Sequence, residues 1–262
     1  MSAENTQGSV LVIGAVGTIG TAICEVLATR GTRVHAADSQ DSGGLVAALP
    51  GEGHHASVVD VTDLDSVTSL IDTAWEQEAP LSGVVYAAGT NYTGYVASTS
   101  WPDYDRVMAV NVRGAFHVGQ ALAARLGRDP RPLSTVWLSS VAGLVGESGG
   151  SVYVASKFAL IGFVQSLAAE IAAAGGRANA VCPGNVDSPM LRALAERVAG
   201  REGVDADTLL HDWEAATAFR RLIEPAEVAR TCAWLLSPDS SGLSGQSIVV
   251  DGPVAAGEGT RP

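Results

Sequence analysis

Lysine is nearly absent from this chain: fifteen of its sixteen basic residues are arginine, and Lys157 is the single lysine. The bases are outnumbered by 28 acids, which leaves a formal net charge of −12. Nucleic acids and anionic membranes are bound by clustered cations that displace counterions. Here the arginines are scattered, so neither partner is expected. Cysteine is scarce as well. Cys24, Cys182 and Cys232 are odd in number, far apart and without metal-ligand spacing, which predicts buried free thiols and no metal centre. The first residues lack the basic-then-apolar layout of a leader, and no uninterrupted apolar stretch reads as long enough to span a bilayer, so a cytoplasmic location is expected. With no repeat, charge block or Ser/Pro linker, one domain is predicted from about residue 8 to residue 252, followed by a Gly/Ala/Pro-rich tail over 253–262.

What the chain does have is apolar residues, 47% of the total and ample for one large core. Short β-rich runs at 10–13, 33–37, 56–59, 83–87, 133–139, 177–182 and 247–250 alternate with helical patterns near 18–30, 63–78, 103–126, 152–174 and 225–236. Strands with little polar alternation, joined by crossover helices, predict an α/β fold: a doubly wound parallel sheet of seven strands between two helical layers. Gly31 is placed to end the first helix in the left-handed region, and Asp63 to cap the third. Ligands of such a sheet bind at the carboxyl ends of its strands, so chemistry is sought just after each one.

After the first strand comes "GAVGTIG", with Gly14, Gly17 and Gly20. Glycines there let backbone approach a pyrophosphate at a helix start, although a lone glycine triplet is a weak signal. Asp38 follows Gly20 by 18 residues, where an acid accepts both hydroxyls of an adenosine ribose. A 2′-phosphate would instead meet Asp38 and Asp41, with no Lys or Arg between residues 34 and 105. The expected cofactor is therefore NAD rather than NADP.

The helical stretch beginning "GGSVYVASK" carries Tyr153 and Lys157 four residues apart, on one face. An ammonium beside a phenol favours the phenolate, so the pair predicts a Tyr153 pKa below the usual value near 10 and a general acid/base. Coincidence accounts poorly for the only lysine falling there. Ser140, thirteen residues earlier at a strand end, is placed to donate to a substrate oxygen; Ser139 is the alternative, but neighbours on a strand face opposite ways. Asn111 interrupts an apolar helical face, either as a satisfied helix kink or as part of the site.

Together "SSVAG" at 139–143, "YVASK" at 153–157, "VNVRGAF" at 110–116, "NAVCPGNVDSPM" at 179–190 and "SGQSIVVDG" at 244–252 resemble the short-chain dehydrogenase/reductase family in its single-domain form, over nearly the whole chain. The resemblance implies a Rossmann fold and a tetrad of Asn111, Ser140, Tyr153 and Lys157. Tyr153 would exchange the substrate proton, Ser140 orient the substrate oxygen, Lys157 bind the nicotinamide ribose, and Asn111 hold a water linking Lys157 to solvent. It also implies dinucleotide contacts from Gly14, Val16, Gly17, Thr18, Ile19, Asp38, Asp60, Val61, Ala87, Ala88, Gly89, Pro183, Gly184, Val186 and Ser188, and a homotetramer. There are three departures from the family pattern. The glycines read GxxGxxG, closer to extended, sugar-nucleotide-modifying members. "YAAG" replaces an Asn-rich opening, so that one hydrogen bond steadying the central sheet is expected to be missing. Ser188 stands for a threonine.

The stretch 188–222 is expected to form a substrate lid, with Met190, Leu191, Leu194, Trp213 and Phe219 facing the pocket and His211 and Arg220 facing solvent. Asn91, Tyr92, Tyr95, Glu147 and Ser148 are candidates for the remaining wall. The function expected is hydride transfer between a small secondary alcohol or ketone and NAD. The alternatives are a carrier-bound 3-oxoacyl reductase using NADPH, an NAD sensor without turnover, and an epimerase or dehydratase that retains its NAD.

Overall fold

In the strand β1 (Ser9–Ile13), Leu11 and Ile13 enter one apolar cluster while Val10 and Val12 enter another, on the opposite face. This period-two alternation makes three layers, because each sheet face needs its own helical cover. The computed structural model describes residues 8–217 and 219–252. After β1 the chain runs through α1 (Thr18–Thr29), β2 (Arg33–Asp38), α2 (Gly43–Ala48), β3 (His55–Val58), α3 (Leu64–Trp75), β4 (Leu81–Tyr86) and α4 (Trp101–Met108). It continues through α5 (Ala115–Arg128), β5 (Leu133–Leu138), α6 (Ser151–Ile171), β6 (Gly176–Pro183), α7 (Pro189–Glu202), α8 (Ala206–Ala215), α9 (Pro225–Leu236) and β7 (Ser247–Val250).

The seven strands form one sheet in the order β3-β2-β1-β4-β5-β6-β7, every pairing parallel. Side chains of α3, α5 and α6 fill one face, and those of α1 and α9 the other. The winding reverses between β1 and β4, and there the carboxyl ends of the two strands open the crevice in which this fold class binds ligands.

Local signals behave as their chemistry requires. Gly31 has φ +80° beyond the end of α1, with Gly31 N–H on the Ala28 carbonyl and Thr32 N–H on Leu27. Asp63 caps α3 by accepting from Asp65 N–H at 2.9 Å. The three cysteines are free and buried, and desolvation pushes the Cys24 thiol up to about 12.

Elsewhere the structure departs from the sequence pattern. The helix expected over 103–126 is interrupted by a π-helical turn at Ala109–Gly114. The short helix α2 has no buried residue and so no apolar periodicity to reveal it. The 188–222 stretch is two helices: Ser188 caps α7, Asp205 caps α8, and Gly203 at φ +71° separates them. The helical stretch Ser151–Ala174 is long and apolar, with a mean hydropathy of 1.5, but Lys157, Gln165 and Glu170 interrupt it. Its Leu160, Val164, Leu167 and Ile171 pack into the core beneath the sheet. The tail expected at 253–262 lies outside the described residues.

Candidate active site

Two cavities open at the carboxyl ends of the strands. The smaller, about 350 Å³, is lined by Gly14, Gly17, Asp38, Asp60, Val61, Ala87, Ala88 and Gly89, all expected dinucleotide contacts, and by Gln40, Val59, Thr90 and Val110, which the sequence reading missed. The missed residues carry no charge or motif; only the strand order brings them here.

The glycine turn was built by two different demands. A Cβ on Gly14, whose φ is +88°, would lie 2.4 Å from the Ala88 nitrogen, and one on Gly20 would lie 2.0 Å from the Gly14 carbonyl. Those two glycines are required by the protein's own packing. A Cβ on Gly17 meets nothing nearer than 3.5 Å. Gly17 nevertheless lines the cavity and precedes α1, whose first turn receives no side-chain cap. Uncapped N–H groups behind an open glycine suit a pyrophosphate, with Thr18 and Ile19 as the first residues of the helix.

Asp38 closes the other side. One carboxylate oxygen accepts from Val16 N–H at 3.0 Å; the second accepts from Gln40 N–H at 3.2 Å and from the Ser39 hydroxyl at 3.3 Å. No residue lining this cavity is cationic. Asp60 accepts from both Thr62 N–H and the Thr62 hydroxyl, at 2.8 and 2.7 Å, and these bonds hold its carboxyl below the usual range. The residues present therefore fit a dinucleotide.

Ser140, Tyr153 and Lys157 meet beside the larger cavity. Ser140 Oγ accepts from Ala142 N–H at 3.1 Å, leaving its proton free to donate. Ser139 points the other way, donating to the Lys157 carbonyl at 3.1 Å. The Lys157 ammonium lies 5.6 Å from the centre of the Tyr153 ring and donates to the Leu138 carbonyl at 2.8 Å.

The expectation of an acidified phenol is not met in this arrangement. Burial pushes the Tyr153 phenol up to about 12, against a hydrogen bond from Ser140 that lowers it, while the Glu147 carboxylate raises it further. Lys157 is itself lowered to about 8 because its ammonium is desolvated. Desolvation is the largest cause of both shifts.

Asn111 lies in the π turn and is wholly buried. Its Oδ1 accepts from Thr90 N–H at 2.8 Å, and its Nδ2 donates to the Thr90 carbonyl at 2.9 Å and to Ser156 Oγ at 3.0 Å. The kink reading of Asn111 is thus realised, with its hydrogen bonds to Thr90 and Ser156 made inside the π turn. The side chain pins the loop after β4, and its Oδ1 shares the space around Gly89 with Lys157 Nζ.

The larger cavity, about 470 Å³, is within the range of small-molecule sites. Ile19, Ser140, Tyr153, Pro183, Gly184, Val186 and Ser188 line it on the reacting side; Asn91, Tyr92, Glu147, Ser148, Met190, Leu191, Leu194 and Trp213 complete it. Phe219 and Tyr95 do not join them. Phe219 is 54% exposed, and the Tyr95 hydroxyl donates to Glu202 while its ring lies under Arg201. His211 and Arg220 are exposed. Val198 and Arg201 enter from α7, visible in sequence only as one turn of a polar helix. Ser188 uses its hydroxyl locally, accepting from Leu191 N–H and donating to the Val186 carbonyl.

A parallel Rossmann-type sheet with this site at its switch point is the architecture of an oxidoreductase class, and the chain belongs to it: it is a member of the short-chain dehydrogenase/reductase family, whose enzymes use nicotinamide cofactors. A family model described as enoyl-(acyl carrier protein) reductase matches residues 14–254. The chain is 35% identical over 253 residues to oxidoreductase UcpA of Escherichia coli K12, covering 94% of each protein. It is 32% identical over 268 residues to the 3-oxoacyl-[acyl-carrier-protein] reductase MabA of Mycobacterium tuberculosis, covering 98% of this chain and all of that protein. Among solved structures it resembles ligand-free aldohexose dehydrogenase of Thermoplasma acidophilum, with a TM-score of 0.84, 29% identity and coverage of 98% and 99%. Actinorhodin polyketide ketoreductase with NADPH gives a TM-score of 0.86 at 26% identity, covering 94% and 97%.

Proposed function

We propose that this protein is an NAD-dependent dehydrogenase of small secondary alcohols, interconverting them with their ketones. The observation that carries the reading is the meeting of Ser140, Tyr153 and Lys157 where the dinucleotide crevice joins an apolar-walled cavity. A bound nicotinamide supplies the hydride acceptor or donor. The protein's part is the proton. Ser140 Oγ–H donates to the substrate oxygen and holds it at Tyr153 Oη; in ketone reduction the Tyr153 phenol gives its proton to that oxygen, and alcohol oxidation, the reverse, needs Tyr153 first to lose that proton to solvent so that the phenolate takes the proton of the alcohol. Met190, Leu191, Leu194 and Trp213 keep water from the reacting carbon.

Asp38, with no cation beside it, supports NAD. The likeness to MabA and to a ketoreductase solved with NADPH favours a second reading, a 3-oxoacyl reductase, but its extra phosphate would face Asp38. The reading further includes a cytoplasmic homotetramer, supported by the exposed rings of Phe116 on α5 and Phe158 on α6.

The test is a panel of secondary alcohols and diols with NAD at mildly alkaline pH, followed at the absorbance of the reduced cofactor. Tyr153→Phe is expected to lower kcat by about 10²- to 10⁴-fold while NADH still binds. Native protein inactive on the whole panel, or a Tyr153→Phe variant of undiminished turnover, overturns the reading.

A further inference from the structure

Among the described residues only two charged side chains, Glu147 and Arg201, line the larger cavity, and they differ in what they are attached to. Arg201 already has partners: its Nε donates to Glu202 Oε1 at 2.8 Å, one terminal nitrogen donates to Thr93 Oγ1 at 3.0 Å, and the guanidinium stacks 4.8 Å from the Tyr95 ring centre. Its charge is balanced before any substrate arrives. Glu147 has no such attachment. Among the described residues its carboxylate accepts no hydrogen bond and forms no ion pair; it is exposed, and it lines the same cavity as Tyr153.

The backbone leaves room for both groups. A Cβ on Gly150 would lie 2.4 Å from Glu147 Oε1, and one on Gly149, at φ +76°, would lie 2.8 Å from a terminal nitrogen of Arg201. Two consecutive glycines thus leave room in the cavity wall for a carboxylate and a guanidinium.

A carboxylate that lines the cavity and has no protein donor is met by water, which a donor on the substrate can displace. We infer that Glu147 is the specificity-determining residue of this cavity, accepting a hydrogen bond from a second hydroxyl of a diol or polyol whose neighbouring carbinol reacts at Tyr153. The inference rests on the reading of Tyr153 given above and names its substrate class. Anionic substrates meet repulsion from Glu147. A cationic amino alcohol meets Lys157 behind the Tyr153 ring, whereas a neutral hydroxyl meets neither penalty.

The experiment compares 2,3-butanediol with 2-butanol, using the native protein, Glu147→Gln and Glu147→Leu. The expected native preference in kcat/KM is for the diol. That diol-to-alcohol ratio falls about tenfold in Glu147→Leu, with a smaller fall in Glu147→Gln, which keeps an acceptor oxygen. Gly150→Ala, which displaces the carboxylate without removing it, lowers the same ratio. Equal losses for diol and alcohol overturn the inference, as does a preference for 3-amino-2-butanol over the diol that Glu147→Gln abolishes.

A binding measurement separates this result from the redox reading. In a Tyr153→Phe background loaded with NADH, calorimetry is expected to give about tenfold weaker diol binding once Glu147→Leu is added. Glu147-dependent binding in a protein that oxidises no alcohol would remove the redox reading and leave the diol site standing. Diol binding indifferent to Glu147 overturns the site itself.

Discussion

The Tyr86 hydroxyl, at the end of β4, donates a 2.6 Å hydrogen bond to the carbonyl of Val110 in the π turn. A π turn leaves main-chain groups out of the regular helical ladder, and here one is taken by a buried phenol whose ionisation burial suppresses. The hydrogen bond expected to be missing from "YAAG" is thus replaced by another that ties the sheet to the residue before Asn111. Tyr86→Phe should destabilise the fold by about 1–3 kcal/mol, the cost of an unpaired buried carbonyl, and lower kcat more than it raises KM. Chemical denaturation with steady-state kinetics checks this; unchanged stability removes Tyr86 as the anchor of the π turn.

The glycine turn separates folding from binding. Gly14→Ala places a methyl 2.4 Å from the Ala88 nitrogen and should destabilise or prevent folding. Gly17→Ala, with only a 3.5 Å contact, should change stability by less than about 0.5 kcal/mol. Its dinucleotide Kd should nevertheless rise at least tenfold, by titration of NADH fluorescence. Native-like binding by Gly17→Ala would mean that the pyrophosphate lies elsewhere.

Asp38 should decide between the two dinucleotides. Replacing it by Ala removes a charged acceptor, and kcat/KM with NAD should fall about 10- to 100-fold, since hydrogen bonds to charged groups contribute about 1.5–3 kcal/mol. NADP should gain relative to NAD. A native protein that already favours NADP would defeat the assignment before any mutation is made.

Acid sensitivity should trace in part to His35, which is 1% exposed, with Nε2 on Ser57 Oγ at 2.7 Å and Nδ1 on Gln77 Nε2 at 3.0 Å. Burial and the neighbouring His55 lower its pKa to about 4 from 6.5. The unfolded chain then binds more protons between those values, so His35 favours the folded state fully above about pH 6.5. That stabilisation declines as the pH falls toward 4. Between pH 7 and pH 5 the loss is about 2 kcal/mol. Denaturant titrations at both pH values should show a smaller difference for His35→Gln; an equal difference would assign the acid sensitivity to other groups.

Much of the site is legible in the chain because its residues are bound to local patterns. Tyr153 and Lys157 share a helix face by spacing alone, and Ser140 faces the site because strand neighbours alternate. Arg201 and Val198 were not legible: a polar turn of α7 looks the same whether it faces water or a cavity. The raised Tyr153 phenol was hidden for a related reason, since spacing reports that an ammonium is near but not how much water either group loses. Phe219 was misplaced because apolar character does not by itself say which cavity, if any, a side chain enters.

The sequence by itself determined the parallel layering, the glycine turn after β1 and the shared helix face of Tyr153 and Lys157, because strand patterning, obligatory glycines and i, i+4 pairs are local consequences of backbone geometry. Tertiary structure alone decided that Tyr86 replaces a lost sheet contact, that Arg201 reaches Thr93 and the Tyr95 ring, and that Glu147 lines the cavity of Tyr153 with no protein donor among the described residues. Those facts depend on distance and desolvation between segments remote in the chain, which only the packed fold specifies.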